Sequence, residues 1–116
     1  NGAKVLIVGM AYKKNVDDMR ESPSLVLTEL LEAGGSTVDY HDTFVPVIPH
    51  TREHDSLAGR ESIELTPENL ANYDVVLIST DHDDVDYQMI ADNAPLIVDT
   101  RNALNGITSV AKIVKA

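Results

Sequence analysis

The chain has 116 residues, with nineteen acidic against nine basic side chains, a formal net charge of −10 and no cysteine. That length suits one modest domain, burying very roughly two-thirds of its unfolded surface, and a hydrophobic fraction of 43% with few aromatics argues for an aliphatic α/β core over a disordered chain. The acid excess sets the chain against nucleic-acid backbones and anionic membrane surfaces, and the missing cysteines exclude a disulfide framework, a thiol nucleophile and a thiolate metal site within these residues.

No apolar run approaches the ~18 residues a membrane span needs, and no signal peptide is present, so the expected location is the cytoplasm. The chain opens Asn1-Gly2-Ala3, without methionine, directly before a core strand. It therefore reads as a piece of a longer protein.

The first predicted element is a buried strand over Lys4–Gly9, an unbroken aliphatic run of the kind found where both faces of a parallel sheet are covered. A long connection follows, carrying Lys13, Lys14 and Arg20 among its residues. That is a poor composition for a simple turn and a good one for gripping an anion. Ser22-Pro23 then starts a helix, with serine as cap and proline at the first helical position. Leu27, Leu30 and Leu31 are expected to share its buried face, and Gly34-Gly35 ends it.

Thr37–His41 is the second strand, completing a βαβ unit. Residues Thr43–Ser62 hold Pro46 and Pro49 and show no clear period, so they form a long excursion, with at most a short extended piece. Thr66-Pro67 starts a second helix that leads into a third strand ending at Ser79. A third helix is predicted from about Asp84 to Ala91, broken by Asn93-Ala94-Pro95 before a fourth strand at Leu96–Asp99. The segment Ile107–Val114 reads equally as a short helix or a strand.

Right-handed crossovers between these strands give an open, doubly wound parallel sheet of order 2-1-3-4, a single domain over residues 1–116. The ligand crevice of such a sheet lies between strands one and three at their carboxyl ends. Lys13, Lys14, Arg20 and Arg101 all fall on that rim.

Gly9 is followed by Met10 and Ala11, so the Gly-x-Gly-x-x-Gly fingerprint of a dinucleotide site is absent. Side chains could hold a nucleotide instead: Lys13 as a point charge and Arg101 as a bidentate donor suit a pyrophosphate. The alternative is solvated lysines and a structural arginine paired with Asp17, Asp18 or Asp99. Asp17 and Asp18 flank Arg20 before a helix start, which favours capping or ion pairing over metal binding. Asp81, His82, Asp83 and Asp84 could form a metal or phosphoacceptor cluster, but an acidic pair at the end of strand one is missing. His50 and His54 have i, i+4 spacing without a helix signal, so a zinc site is not expected. No catalytic constellation stands out; the domain reads as a binder.

The string Ala11-Tyr12-Lys13-Lys14-Asn15-Val16-Asp17-Asp18-Met19-Arg20-Glu21-Ser22-Pro23, with Lys4–Gly9 before it and Val98-Asp99-Thr100-Arg101-Asn102 near the end, closely resembles the C-terminal, UDP-binding domain of the UDP-glucose/GDP-mannose dehydrogenase family. The resemblance implies a Rossmann-like three-layer α/β domain from an enzyme that oxidises the C6 hydroxyl of a nucleotide sugar in two NAD-dependent steps. It implies that Tyr12, Lys13 and Arg101 contact the UDP-sugar, and that Arg20 reaches an NAD bound mainly by an N-terminal domain. The nucleophilic cysteine would lie in a central domain, so this segment alone is expected to be inactive, and the whole protein to be a homo-oligomer. Within the family, the sequence looks most like the UDP-N-acetylglucosamine 6-dehydrogenases of polysaccharide synthesis. A UDP-glucose 6-dehydrogenase domain and a non-catalytic regulatory module are the alternatives. The family's usual Asp-Pro after strand two is Asp42-Thr43 here.

Overall fold

The structure is a computed structural model that describes residues 2–11, 23–49, 55–101, 103–104 and 112–115. Strands β1 (Lys4–Val8), β2 (Thr37–His41), β3 (Val75–Ile78), β4 (Leu96–Asp99) and β5 (Lys112–Lys115) form one sheet of order β2-β1-β3-β4-β5. Every pairing is parallel. The expected order holds, with β5 added at the edge beyond β4. This resolves the ambiguous last segment as a strand over Lys112–Lys115; residues 105–111 lie outside the described part.

Helices α1 (Pro23–Ala33), α2 (Pro67–Ala71) and α3 (Tyr87–Asn93) lie between the strands. Alternate side chains of β1 serve two cores. Val5 and Ile7 pack with Leu25 of α1 and with Val45, Ile48 and Leu57 of the excursion, while Leu6 and Val8 pack with Leu70 of α2 and Ile90 of α3. This division is what a doubly wound, three-layer sheet requires.

Helix α1 ends as its glycines predict. Gly35 has φ +98°, its N–H donates to the Glu32 carbonyl, and the Ser36 N–H donates to Leu31, the paired closure of a Schellman end. The buried face differs from the expected leucine stripe. Ser24, Leu25 and Thr28 are fully buried, Leu27 and Leu31 are half-buried, and Leu30 is 65% exposed. Two polar residues can occupy the centre because both are satisfied: the Thr28 hydroxyl donates to the Ser24 carbonyl at 2.7 Å, and the Ser24 hydroxyl donates to the Gly9 carbonyl at 3.0 Å.

Helix α2 starts at the Thr66 cap, whose hydroxyl accepts the Asn69 N–H at 3.0 Å. Helix α3 begins at Tyr87 and not near Asp84, because it is Asp86 whose carboxylate caps the Met89 N–H at 3.1 Å; it runs on to Asn93. The excursion after β2 holds a 3-10 turn at Asp55–Leu57 and an antiparallel bridge between Val47 and Glu61. A bidentate Arg60–Glu32 pair, at 2.7 and 3.0 Å, ties it to α1. Among the described residues, no helix is long and apolar enough to cross a membrane.

Candidate functional site at the carboxyl edge of the sheet

The first residue past β1 sets how closely the two central strands end. Gly9 has φ +92°, and a Cβ there would stand 2.3 Å from the Thr80 carbonyl oxygen that follows β3. Only glycine allows this approach. The Thr80 hydroxyl then donates to the Ala11 carbonyl at 2.7 Å, and the Ser24 and Ser79 hydroxyls share a 2.6 Å hydrogen bond. The ends of β1 and β3 and the start of α1 are thereby stitched together at the crevice.

Asp42, the residue after β2, is the second fixed point. It is fully buried, and its Oδ2 accepts the Met10 N–H at 2.7 Å and the Ala11 N–H at 2.9 Å, while Oδ1 accepts the Phe44 N–H at 2.8 Å. The His82 Nε2 lies 2.8 Å from the same Oδ2, and its ring lies against Phe44 with centroids 4.6 Å apart. In a dinucleotide fold, an acid at the end of strand two reaches a ribose hydroxyl. Here that carboxylate is turned inward and saturated, so together with the missing glycine fingerprint this crevice does not fit NAD in the ordinary way.

This arrangement also dissolves the acidic cluster after β3. His82 points into the core towards Asp42, Asp84 accepts from the Thr43 hydroxyl, and Asp83 is exposed. Among the described residues, no three histidine or carboxylate side chains gather as metal ligands do. His50 and His54 lie outside the described residues.

Arg101 is the sequence-predicted site residue that the structure describes. Asp99, at the end of β4, accepts the backbone N–H groups of Arg101, Ala103 and Leu104 at 3.0, 3.1 and 2.9 Å, fixing the turn in an Asx-like manner. The Thr100 hydroxyl donates to the Ile78 carbonyl at 2.6 Å. The exposed Arg101 side chain then lies along the edge, its Nε donating to the Ser79 carbonyl at 2.9 Å. Its side chain is not spent on Asp99; the terminal amino groups have no protein partner among the described residues.

A groove of about 610 Å³ opens beside it. Ser79, Thr100 and Arg101 form its polar end, and Leu27, Leu30 and Leu77 its apolar length. Tyr12, Lys13 and Arg20, and with them Lys14, Asp17 and Asp18, lie outside the described residues.

Sequence reasoning missed Asp42 and His82 as partners. The available signal was the position of Asp42 directly after strand two, where an acid in this topology faces the crevice.

Comparison with known proteins bears on what this edge serves. Residues 6–106 match the UDP-glucose/GDP-mannose dehydrogenase family, UDP binding domain. A Bacillus subtilis UDP-glucose 6-dehydrogenase is 32% identical over 107 residues, covering 87% of this chain and 23% of that protein. A Methanocaldococcus jannaschii UDP-N-acetyl-D-mannosamine dehydrogenase is 31% identical over 110 residues, 88% of this chain and 23% of that protein. The solved structure of the UDP-D-ManNAc dehydrogenase of Pyrococcus horikoshii superposes with a TM-score of 0.72 at 23% identity, covering 98% of this chain and 25% of that one, a likeness of fold. The chain thus spans about a quarter of the length of its relatives. With the match running from within β1 past Arg101, this chain belongs to the UDP-glucose/GDP-mannose dehydrogenase family, as its UDP binding domain.

Proposed function

We propose that residues 1–116 are the sugar-nucleotide-binding domain of an NAD-dependent nucleotide-sugar 6-dehydrogenase, which oxidises the C6 hydroxyl of a UDP-hexose to the carboxylate. The observation that carries this reading is the family match across residues 6–106. The position of Arg101 supports it: an exposed guanidinium held at the carboxyl edge, beside a groove, is placed to neutralise pyrophosphate charge in a chain otherwise strongly acidic. In this proposal Tyr12 and Lys13 join Arg101 on the UDP-sugar, and Arg20 faces an NAD held mainly by another domain of the same polypeptide. The chemistry of oxidation, with its cysteine nucleophile, belongs to those other domains, and this segment alone is inactive. The whole protein is proposed to be a homo-oligomer.

The relatives named above act, by their names, on UDP-glucose and on UDP-N-acetyl-D-mannosamine. The proposed substrate class is accordingly a UDP-hexose; UDP-N-acetylglucosamine, which the sequence favoured, stands beside UDP-glucose and UDP-N-acetylmannosamine. The test is NAD reduction by the whole protein with these three sugars and with GDP-mannose. Turnover of one UDP-hexose, with two NAD reduced per sugar, is the expected result. No NAD reduction with any of the four would overturn the reading.

A further inference from the structure

The sheet is covered unevenly. On the face of β1 that carries Ile7, helix α1 and the excursion bury the side chains completely. Strand register places Leu77 opposite Ile7, Val98 opposite Leu77, and Val114 opposite Val98, so one apolar row continues across the same face onto β3, β4 and β5. Along that row cover fades: Leu77 and Val98 are half-buried, and Val114 is 41% exposed. On the opposite face the cover reaches further, and only Ile113 on the edge strand β5 is half-buried. Val76, Ile78 and Ile97 are fully buried there, in the core that also holds Leu70 and Ile90. Helix α1 borders the open region with Val26 and Leu30, one turn apart and 46% and 65% exposed, and the apolar length of the 610 Å³ groove lies between them and Leu77.

We propose that this open half-face is the seat of one amphipathic helix supplied by the remainder of the same polypeptide, lying beside α1 across β3, β4 and β5. The inference rests on the reading of the chain as one domain of a longer dehydrogenase. Parallel strands occur almost only with both faces covered, and here one half of one face lacks its layer among the described residues. The gap has the size of a helix: three strands at about 4.8 Å spacing span roughly 10 Å, and a helix with its side chains is about 10–12 Å across. Its wall is a helix-packing surface, since residues four apart such as Val26 and Leu30 form the ridge that a neighbouring helix receives. The occupant is assigned to the same polypeptide because the relatives carry roughly three-quarters of their length outside the matched segment. The outer face of the seated helix would be polar, and the seat would hold the Arg101 edge in a fixed place relative to the other domains.

Hydroxyl-radical footprinting of the whole protein, native against urea-unfolded, reads the proposal directly. Val26, Leu30, Leu77, Val98 and Val114 are expected to be oxidised about tenfold or more slowly in the native protein, as buried side chains are. Oxidation of Leu30 and Val114 at the unfolded rate overturns the proposal. A photo-crosslinker attached at Val114→Cys, in a mixture of isotope-labelled and unlabelled protein, identifies the occupant. Cross-links to a helical segment of the same polypeptide are expected; links only between labelled and unlabelled chains would make the occupant a second copy and overturn it. The NAD-reduction assay separates this from the functional reading: an active enzyme with an oxidised strip defeats the helix seat alone, and a protected strip in a protein inert to sugar nucleotides defeats the functional reading alone.

Discussion

The Nε2 of His82 lies 2.8 Å from Oδ2 of Asp42, with both side chains fully buried. That one oxygen also accepts the Met10 and Ala11 N–H groups, so the pair fixes the backbone immediately before Tyr12 and Lys13. Among the described residues, every buried side-chain polar atom has a partner. Asp42→Asn turns one side of the acceptor into a donor, facing either the Phe44 N–H or the Met10 and Ala11 N–H groups. It is expected to cost about 1–3 kcal/mol, and Asp42→Ala more, since four donors lose their acceptor. Urea unfolding midpoints at unchanged slope measure this; a shift below about 0.5 kcal/mol would mean that water replaces the carboxylate.

Gly9→Ala puts a methyl group within 2.3 Å of the Thr80 carbonyl oxygen and forces φ +92° on an L-residue. Neither side can yield, since both are backbone at the ends of paired strands. The expected loss exceeds about 3 kcal/mol, at the severe end for a single substitution. Gly59→Ala is the control: it has φ +88° but open space for a Cβ, so it carries the strain without the collision. Circular dichroism melts of the two variants separate the terms, and equal losses would show that the close approach to Thr80 is unimportant.

The pattern of what could be read from sequence follows the range of the forces. β2 and β4 match their predicted limits, the Thr66 cap and the Gly35 helix end hold, and the order β2-β1-β3-β4 follows from handedness, because each is decided by near neighbours or by chain direction. The Asp42–His82 pair was illegible because its members are forty residues apart and each has a plausible local use. The start of α3 shifted from Asp84 to Tyr87 because Asp86, one of several acids close together there, supplies the cap to the Met89 N–H. The buried face of α1 was misread for a related reason. A leucine stripe reports that something covers it, and for Leu30 no described part of this chain does.

Three buried or half-buried phenols make the fold sensitive to alkali. Burial raises the Tyr40 phenol above its ordinary value near 10, with the charges of Asp42 and Glu61 adding to it. Tyr73 is raised by burial, then by its hydrogen bond to Asp39, and Tyr87 by burial, then by the acidic residues around it. The unfolded chain releases these protons near pH 10 while the folded chain keeps them, so the folded state binds more protons there. Stability is therefore fully present below about pH 10 and falls as pH rises beyond it. The tyrosinate absorbance is expected to appear late and together with unfolding. Tyr73→Phe should lose about 1 kcal/mol at neutral pH, from the missing hydrogen bond, yet show a shallower alkaline decline. An unfolding free energy flat from pH 8 to well above 10 would contradict the argument.

Arg101 separates charge from geometry at the proposed UDP-sugar site. Its backbone is set by Asp99 and its Nε by the Ser79 carbonyl, so the guanidinium plane is oriented before any ligand arrives. Arg101→Lys keeps the charge but loses both the Ser79 anchor and the forked donor pair, whereas Arg101→Ala loses all three. A hydrogen bond to a charged group is worth about 1.5–3 kcal/mol, which corresponds to a KM for the sugar nucleotide raised roughly ten- to a hundredfold in the alanine variant. The lysine variant is expected in between, and nearer to alanine if the fork matters more than the charge. Because Arg101 is exposed, neither variant should change the unfolding free energy by more than about 0.5 kcal/mol. Steady-state kinetics of the whole protein, with NAD saturating, checks this. An unchanged KM in the alanine variant would place the pyrophosphate away from β4 and leave the Arg101 edge without a role in binding.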